Sequence, residues 1–207
     1  MPLDHLPTRQ IAVLASAVIY WGGVAIQARR VRRKIGHSPN VAPKGTKEIL
    51  LWIGWTTVVL AWLIQPILGA TPNTLPGLRL HPNFTGSIPL GLTLLTFGYA
   101  ATLWCYNAMG KAWRMGIDHK EQTQLVTRGP YKFIRHPIYA FQVLMLAGST
   151  LLLPSVLSLA ILTLHLACVA FKVADEESHL AKLHGPAYLQ YKKQTGRLLP
   201  RLLPPSR

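Results

Sequence analysis

Acidic residues are scarce in this 207-residue chain: 7 Asp plus Glu stand against 22 Lys plus Arg, a formal charge of +15. Charged residues of both signs make up only 14%, too few to solvate the surface of an ordinary water-soluble domain. Cysteine is nearly absent as well. Cys105 and Cys168 both fall in apolar runs, so they read as small packing residues and imply neither a disulfide framework nor a cysteine metal site. No Gly-x-Gly-x-x-Gly loop follows a strand-like stretch, which excludes a Rossmann-type cofactor domain. Repeats and low-complexity segments are missing too, and at 50% apolar residues the chain is far too oily for disorder.

Long uncharged runs are what the chain does have. A helix needs about 20 apolar residues to cross a hydrocarbon core. Residues 11–27, 49–68 and 88–105 supply three such runs without one charge. A fourth stretch, 138–171, is long enough for two helices and is broken by Pro154 and Ser155. Proline costs about 3 kcal/mol inside a helix and disfavours helix at the residue before it. The stretch therefore predicts a tight hairpin, 138–153 out and 155–171 back, and the fold class is all-α: a polytopic membrane protein with five transmembrane helices.

Basic residues distribute unevenly around these runs. Seven lie between the first two (Arg29 to Lys47), six between the third and fourth (Lys111 to Arg135), and seven in the tail (Lys172 to Arg207), leaving only Arg9 and Arg79 opposite. A 20 to 2 partition follows the positive-inside rule, placing the N-terminus outside and the C-terminus in the cytosol. The net charge is thus a topology signal. No nucleic-acid partner is expected, because the cations split over three loops instead of forming one patch; membrane lipids, with anionic headgroups against Arg29 to Lys34, are. The first run is expected to stay as a helix, since its cations follow the apolar stretch instead of preceding it. No prenylation signal stands in Pro204, Pro205, Ser206 and Arg207.

Two regions differ in character. Residues 1–109 read as an N-terminal three-helix membrane region with bland loops, including a turn-rich outer loop from Thr71 to Ser87. Residues 110–207 concentrate the unusual polar chemistry, in a re-entrant-like helical hairpin and a cytosolic C-terminal tail; the resemblance of their motifs to a known family implies that this half is the catalytic region and forms a cytosolic cofactor pocket. Its stretch 125–139, LVTRGPYKFIRHPIY, runs into the fourth helix. Gly129 and Pro130 mark a turn, Tyr131 and Phe133 suit an interface, and Pro137 fits a first helical turn. Arg135 and His136 then flank unpaired backbone N–H groups, an arrangement that binds anions. Interfacial anchoring by Arg135, His136 and Tyr139 fits the same pattern.

Beyond the fifth run stand Lys172, Asp175, Glu176 and Glu177. Lys172 and Glu176, four apart, share a helix face and can form a salt bridge worth at most about 0.5 kcal/mol. The same acids beside a bilayer can instead serve a cationic ligand, where partial desolvation strengthens pairing. Gly185 and Pro186 then separate two helices, the second carrying Tyr188 and Tyr191 on one face. His165, inside the fifth run, reads as a neutral imidazole bonded to a neighbouring helix. His119, His179 and His184 form no zinc signature, so no metal is expected. Trp52, Trp55 and Trp62 read as packing and interface residues.

Four blocks in this order, LVTRGPY, RHPIY, EESHL and GPAYLQYKKQTGRLLP, resemble the isoprenylcysteine carboxyl methyltransferase and phospholipid methyltransferase family, over roughly residues 105–201. The resemblance implies an integral-membrane methyltransferase using S-adenosyl-L-methionine on a lipophilic or prenylated acceptor. It implies cofactor contacts at Thr123, Gln124, Leu125 and Val126 in a strand-like approach, at Tyr131, at Arg135, His136, Pro137, Ile138 and Tyr139 around the helix start, and at Glu176. Catalytic positions carried over are Lys172 and Glu177. Thr123 stands where His is common, Phe141 where Gly is usual, and Lys172 where prenylcysteine enzymes have Arg; an ammonium does not grip a carboxylate as a guanidinium fork does. The acceptor atom stays open among carboxyl oxygen, amine nitrogen and sulfur. Two other classes also remain: an NADPH-dependent membrane reductase of related architecture, with Lys192, Lys193 and Arg197 for the extra phosphate, and a non-enzymatic membrane scaffold.

Overall fold

Proline and glycine set the boundaries of the helices. In the computed structural model, residues 8–68, 86–117 and 123–201 are described. Most of the expected outer loop, with Arg79, His119, Lys120 and Arg207, lies outside them. Among the described residues six α-helices follow in order: α1 Thr8–Ile35, α2 Gly45–Leu68, α3 Ser87–Met109, α4 Pro137–Leu152, α5 Val156–His184 and α6 Pro186–Gln194. Short 3-10 turns occupy Gly110–Ala112 and Gly129–Lys132. Among the described residues strand pairing is limited to two isolated bridges, so the Thr123 to Val126 segment is irregular rather than strand-like.

The hairpin expected at Pro154 is present. Pro137 opens α4, α4 ends at Leu152, and Ser155 caps α5 by accepting a bond from the Ser158 N–H at 3.0 Å. Gly185, with φ +52°, ends α5, and Pro186 starts α6. Four helices, α1, α2, α3 extended to Ala112, and α5, are long and apolar enough to cross a membrane. The fifth expected span falls short of that length: α4 has 16 residues, about 24 Å, because Pro137 and Pro154 fence both its ends. Large apolar side chains on these helices stay open, including Leu50, Trp52 and Phe171 at 63, 58 and 58% exposure. Such faces suit lipid and not water.

The closest pair is α3 and α4. A Cβ at Gly148 would stand 2.8 Å from the Gly91 carbonyl oxygen, and one at Gly98 2.9 Å from that of Phe141. The two backbones therefore touch along a seam that only glycine permits. On the other side α2 packs between α1 and α5, and α5 also meets α4. Buried side-chain bonds tie the helices: Trp62 Nε1 donates to Ser149 Oγ at 3.0 Å, and Gln65 donates to Ser158 Oγ.

Backbone stitches close the same end of the bundle at two places. Val41 N donates to Met115 O (2.8 Å) and Met115 N to Pro39 O (3.0 Å), joining the α1–α2 loop to the segment after α3. Arg135 N donates to Gly196 O (2.8 Å), His136 N to Arg197 O (3.1 Å) and Gly196 N to Phe133 O (3.2 Å), strapping the chain after α6 across the start of α4.

Candidate functional site

His136 is the N-cap residue of α4, and its orientation follows from the strap on one side and Pro137 on the other. Three positions on, Tyr139 falls on the same helix face, its ring stacked on the His136 imidazole with centroids 6.1 Å apart and planes 19° apart. Both meet α5. Tyr139 Oη donates to Glu176 Oε1 at 2.7 Å, and His136 Nδ1 lies 3.4 Å from Glu176 Oε2. The expected Lys172 and Glu176 pairing is present but long, at 3.9 Å. Burial by itself would lower the pKa of His136; hydrogen bonding and charge from Glu176 and Glu177 outweigh it and raise it above 6.5.

Glu177 turns the other way. Adjacent helical residues point about 100° apart, so its carboxylate faces α6 and the strap. It accepts from Arg135 Nε at 2.9 Å and Arg197 Nη2 at 3.1 Å, with Lys192 Nζ at 3.4 Å and His136 Nε2 at 3.6 Å. Arg135 is therefore already engaged: it also donates to Lys192 O at 3.2 Å and to Thr195 O. The anion-binding cation expected at the helix start is spent on an internal network.

A cavity of about 580 Å³ opens beside His136 and Glu176, within the roughly 300–1,000 Å³ typical of small-molecule sites. Thr123 to Val126, Tyr131, Arg135 to Tyr139, Lys172 and Glu176 all border it. Glu177 does not stand among the bordering residues. Tyr131 sits in the 3-10 turn, where burial pushes its phenol well above the usual range, and its carbonyl accepts from Tyr191 Oη at 2.6 Å.

The pocket is not the work of the C-terminal half alone. Tyr20, Trp21, Trp55 and Tyr106 border it too, because α1 and α3 pack on α4 and α2 packs on α5. Trp55 packs on Tyr139 at 5.6 Å and on His165 at 5.2 Å, a wall residue where a packing or interface role was expected. Sequence reasoning passed over Tyr20 and Gln142; the available signal was a polar side chain inside an apolar run. His165 differs from expectation as well: neither ring nitrogen has a hydrogen-bond partner, and its contact is edge-on to Trp55. Among the described residues no three His, Cys, Asp or Glu side chains gather as a metal site would need.

Four helices long and apolar enough to cross a membrane, with a histidine, a tyrosine and a glutamate beside a cavity, fit the class of multi-pass membrane proteins. Residues 87–187, just under half of the chain, match the phospholipid methyltransferase family, which the sequence motifs resemble. Curated relatives include the nickel-cobalt-cadmium resistance protein NccN of Alcaligenes xylosoxydans xylosoxydans. It is 33% identical over 113 residues, 55% of this chain and 48% of NccN. The cobalt-zinc-cadmium resistance protein CzcN of Cupriavidus metallidurans is 30% identical over 113 residues, 55% of this chain and 47% of CzcN. The chain thus spans about half the length of the curated relatives it matches.

Proposed function

We propose that the protein transfers the methyl group of S-adenosyl-L-methionine to a lipophilic, prenylated or lipid-like acceptor at the membrane–cytosol boundary. The observation that carries this reading is the meeting of His136, Tyr139 and Glu176 on one wall of a cavity lined largely by aromatic and apolar side chains. In this reading α4 is a fifth, short crossing, the N-terminus lies outside and the C-terminus in the cytosol.

The residues fit such a donor. Glu176, fixed by Tyr139 and His136 and with its side chain 23% exposed, keeps lone pairs for an ammonium or hydroxyl group. Tyr139 and Trp55 offer ring faces to a sulfonium cation. When bound, the donor supplies an electrophilic methyl whose bond to sulfur breaks as a bond to the acceptor atom forms and that atom gives up a proton. His136, set between Glu176 and Glu177, can hold a proton beside the cavity. Lys172 steadies Glu176 and places a cation beside the acceptor. The apolar walls exclude water, so positioning does most of the catalytic task. The relatives are named for resistance to nickel, cobalt, zinc and cadmium; we place any share of this protein in such resistance in the methylated acceptor.

The test is a titration of the purified full chain in lipid nanodiscs with S-adenosylhomocysteine and, in parallel, with NADPH. The homocysteine nucleoside should bind, and Glu176→Gln should weaken it by about tenfold to hundredfold, the loss of one charge-assisted hydrogen bond. Binding of NADPH in its place would turn the assignment to a reductase; binding of neither would leave a scaffold.

A further inference from the structure

The cavity continues past Glu176 into the apolar part of the bundle. Gln142 lies on α4 three residues beyond Tyr139, on the same face and about one turn deeper. It borders the cavity and is 7% exposed. Its Nε2 donates to Tyr20 Oη at 2.5 Å, and the Tyr20 hydroxyl in turn contacts that of Tyr106. Gln142 Oε1 is buried with no partner. On α1, Trp21 also borders the cavity, its ring edge-on to Tyr20 at 5.3 Å, and its Nε1 is buried with no partner.

An unsatisfied buried polar atom is destabilising, and polar side chains at membrane depth mark a ligand or pathway. Here two belong to side chains that border one cavity, an acceptor on Gln142 and a donor on Trp21. The ring and amide neighbours of Tyr20, namely Trp21, Trp62, Tyr106 and Gln142, are all uncharged. A carboxylate or phosphodiester would meet the Gln142 carbonyl oxygen with no cation among these neighbours to pair it, and an unpaired buried ion is strongly disfavoured.

We propose that Gln142 Oε1 and Trp21 Nε1 form the head-group subsite for the acceptor, and that the acceptor is an uncharged lipophile ending in a hydroxyl. The hydroxyl proton bonds to Gln142, and the hydroxyl oxygen accepts from Trp21. Apolar side chains that border the cavity and stay exposed on α2, Trp52 at 58% and Leu60 at 51%, continue the wall outward for the tail. The assignment rests on the methyl-transfer reading above and narrows its acceptor.

The full chain in phosphatidylcholine nanodiscs is titrated with 1-dodecanol, dodecyl methyl ether and dodecyl phosphate, following intrinsic tryptophan fluorescence. Dodecanol should bind about five- to tenfold more tightly than the ether, one hydrogen bond's worth, and the phosphate more weakly still. Gln142→Met should abolish the preference for alcohol over ether, because only the alcohol donates. Trp21→Phe should weaken alcohol and ether together, because both accept. Phosphate binding as tight as alcohol, or an alcohol preference that survives Gln142→Met, overturns the proposal. A native chain that discriminates the alcohol but ignores S-adenosylhomocysteine keeps the subsite and rejects methyl transfer; the reverse pattern rejects the subsite alone.

Discussion

Removing the Glu177 carboxylate is the sharpest perturbation the structure offers. Its side chain is 6% exposed and that of Arg135 8%, at 2.9 Å, so the pair is desolvated. Breaking a buried pair by deleting one partner costs roughly 3–5 kcal/mol, since the other charge is left uncompensated. Arg135 retains the carbonyls of Lys192 and Thr195, while Lys192 and Arg197, with side chains 49 and 50% exposed, can return to water. The lower end of that range applies, about 3 kcal/mol. For a chain of this size that shifts the melting midpoint by roughly 6–12 °C. Glu177→Ala should show this loss by scanning fluorimetry in nanodiscs. Joining Arg135→Met to Glu177→Leu should recover at least half, because no buried charge then remains unpaired. A Glu177→Ala shift below about 2 °C, or a double variant as unstable as the single one, would refute the account of Glu177 as the anchor of the strap.

Three further outcomes follow from the same coordinates. The raised pKa of His136 means that its stabilising contribution is complete below about pH 6.5 and is lost as pH rises through the folded-state value; the melting midpoint should fall across that window, and His136→Gln should flatten the profile. Gly148→Ala forces a methyl to within 2.8 Å of the Gly91 carbonyl oxygen and should cost about 1–3 kcal/mol, read as a lower midpoint; an unchanged midpoint means the seam can open. Lys47 pairs with Asp175 at 2.6 Å, but its side chain is 62% exposed, so Lys47→Ala should change stability by at most about 1 kcal/mol, and less at high salt.

Several elements were legible without coordinates because they depend on residues near in sequence. Uncharged runs long enough to span a bilayer, a proline that splits one of them, a His136–Pro137 helix start and the Lys172–Glu176 spacing all express local backbone rules. The convergence of the RHPIY and EESHL blocks followed from motif resemblance, and the distances between Tyr139, His136 and Glu176 agree with it. Less legible was the fate of neighbours. Glu176 and Glu177 look alike in sequence, yet one borders the cavity and the other anchors the strap, since a single helical step turns a side chain by about 100°.

The primary structure alone determined an all-helical, membrane-type chain, the basic bias of one set of its loops, and the places where helices begin and end, because each of these is a sum over neighbouring residues. Only the tertiary structure decided which side chains from distant helices meet. Tyr20 and Gln142 are 122 residues apart and touch, and Arg135 spends its charge inside the protein, because inter-helix register is set by packing, such as the glycine seam of α3 and α4, and periodicity within one helix carries no information about it.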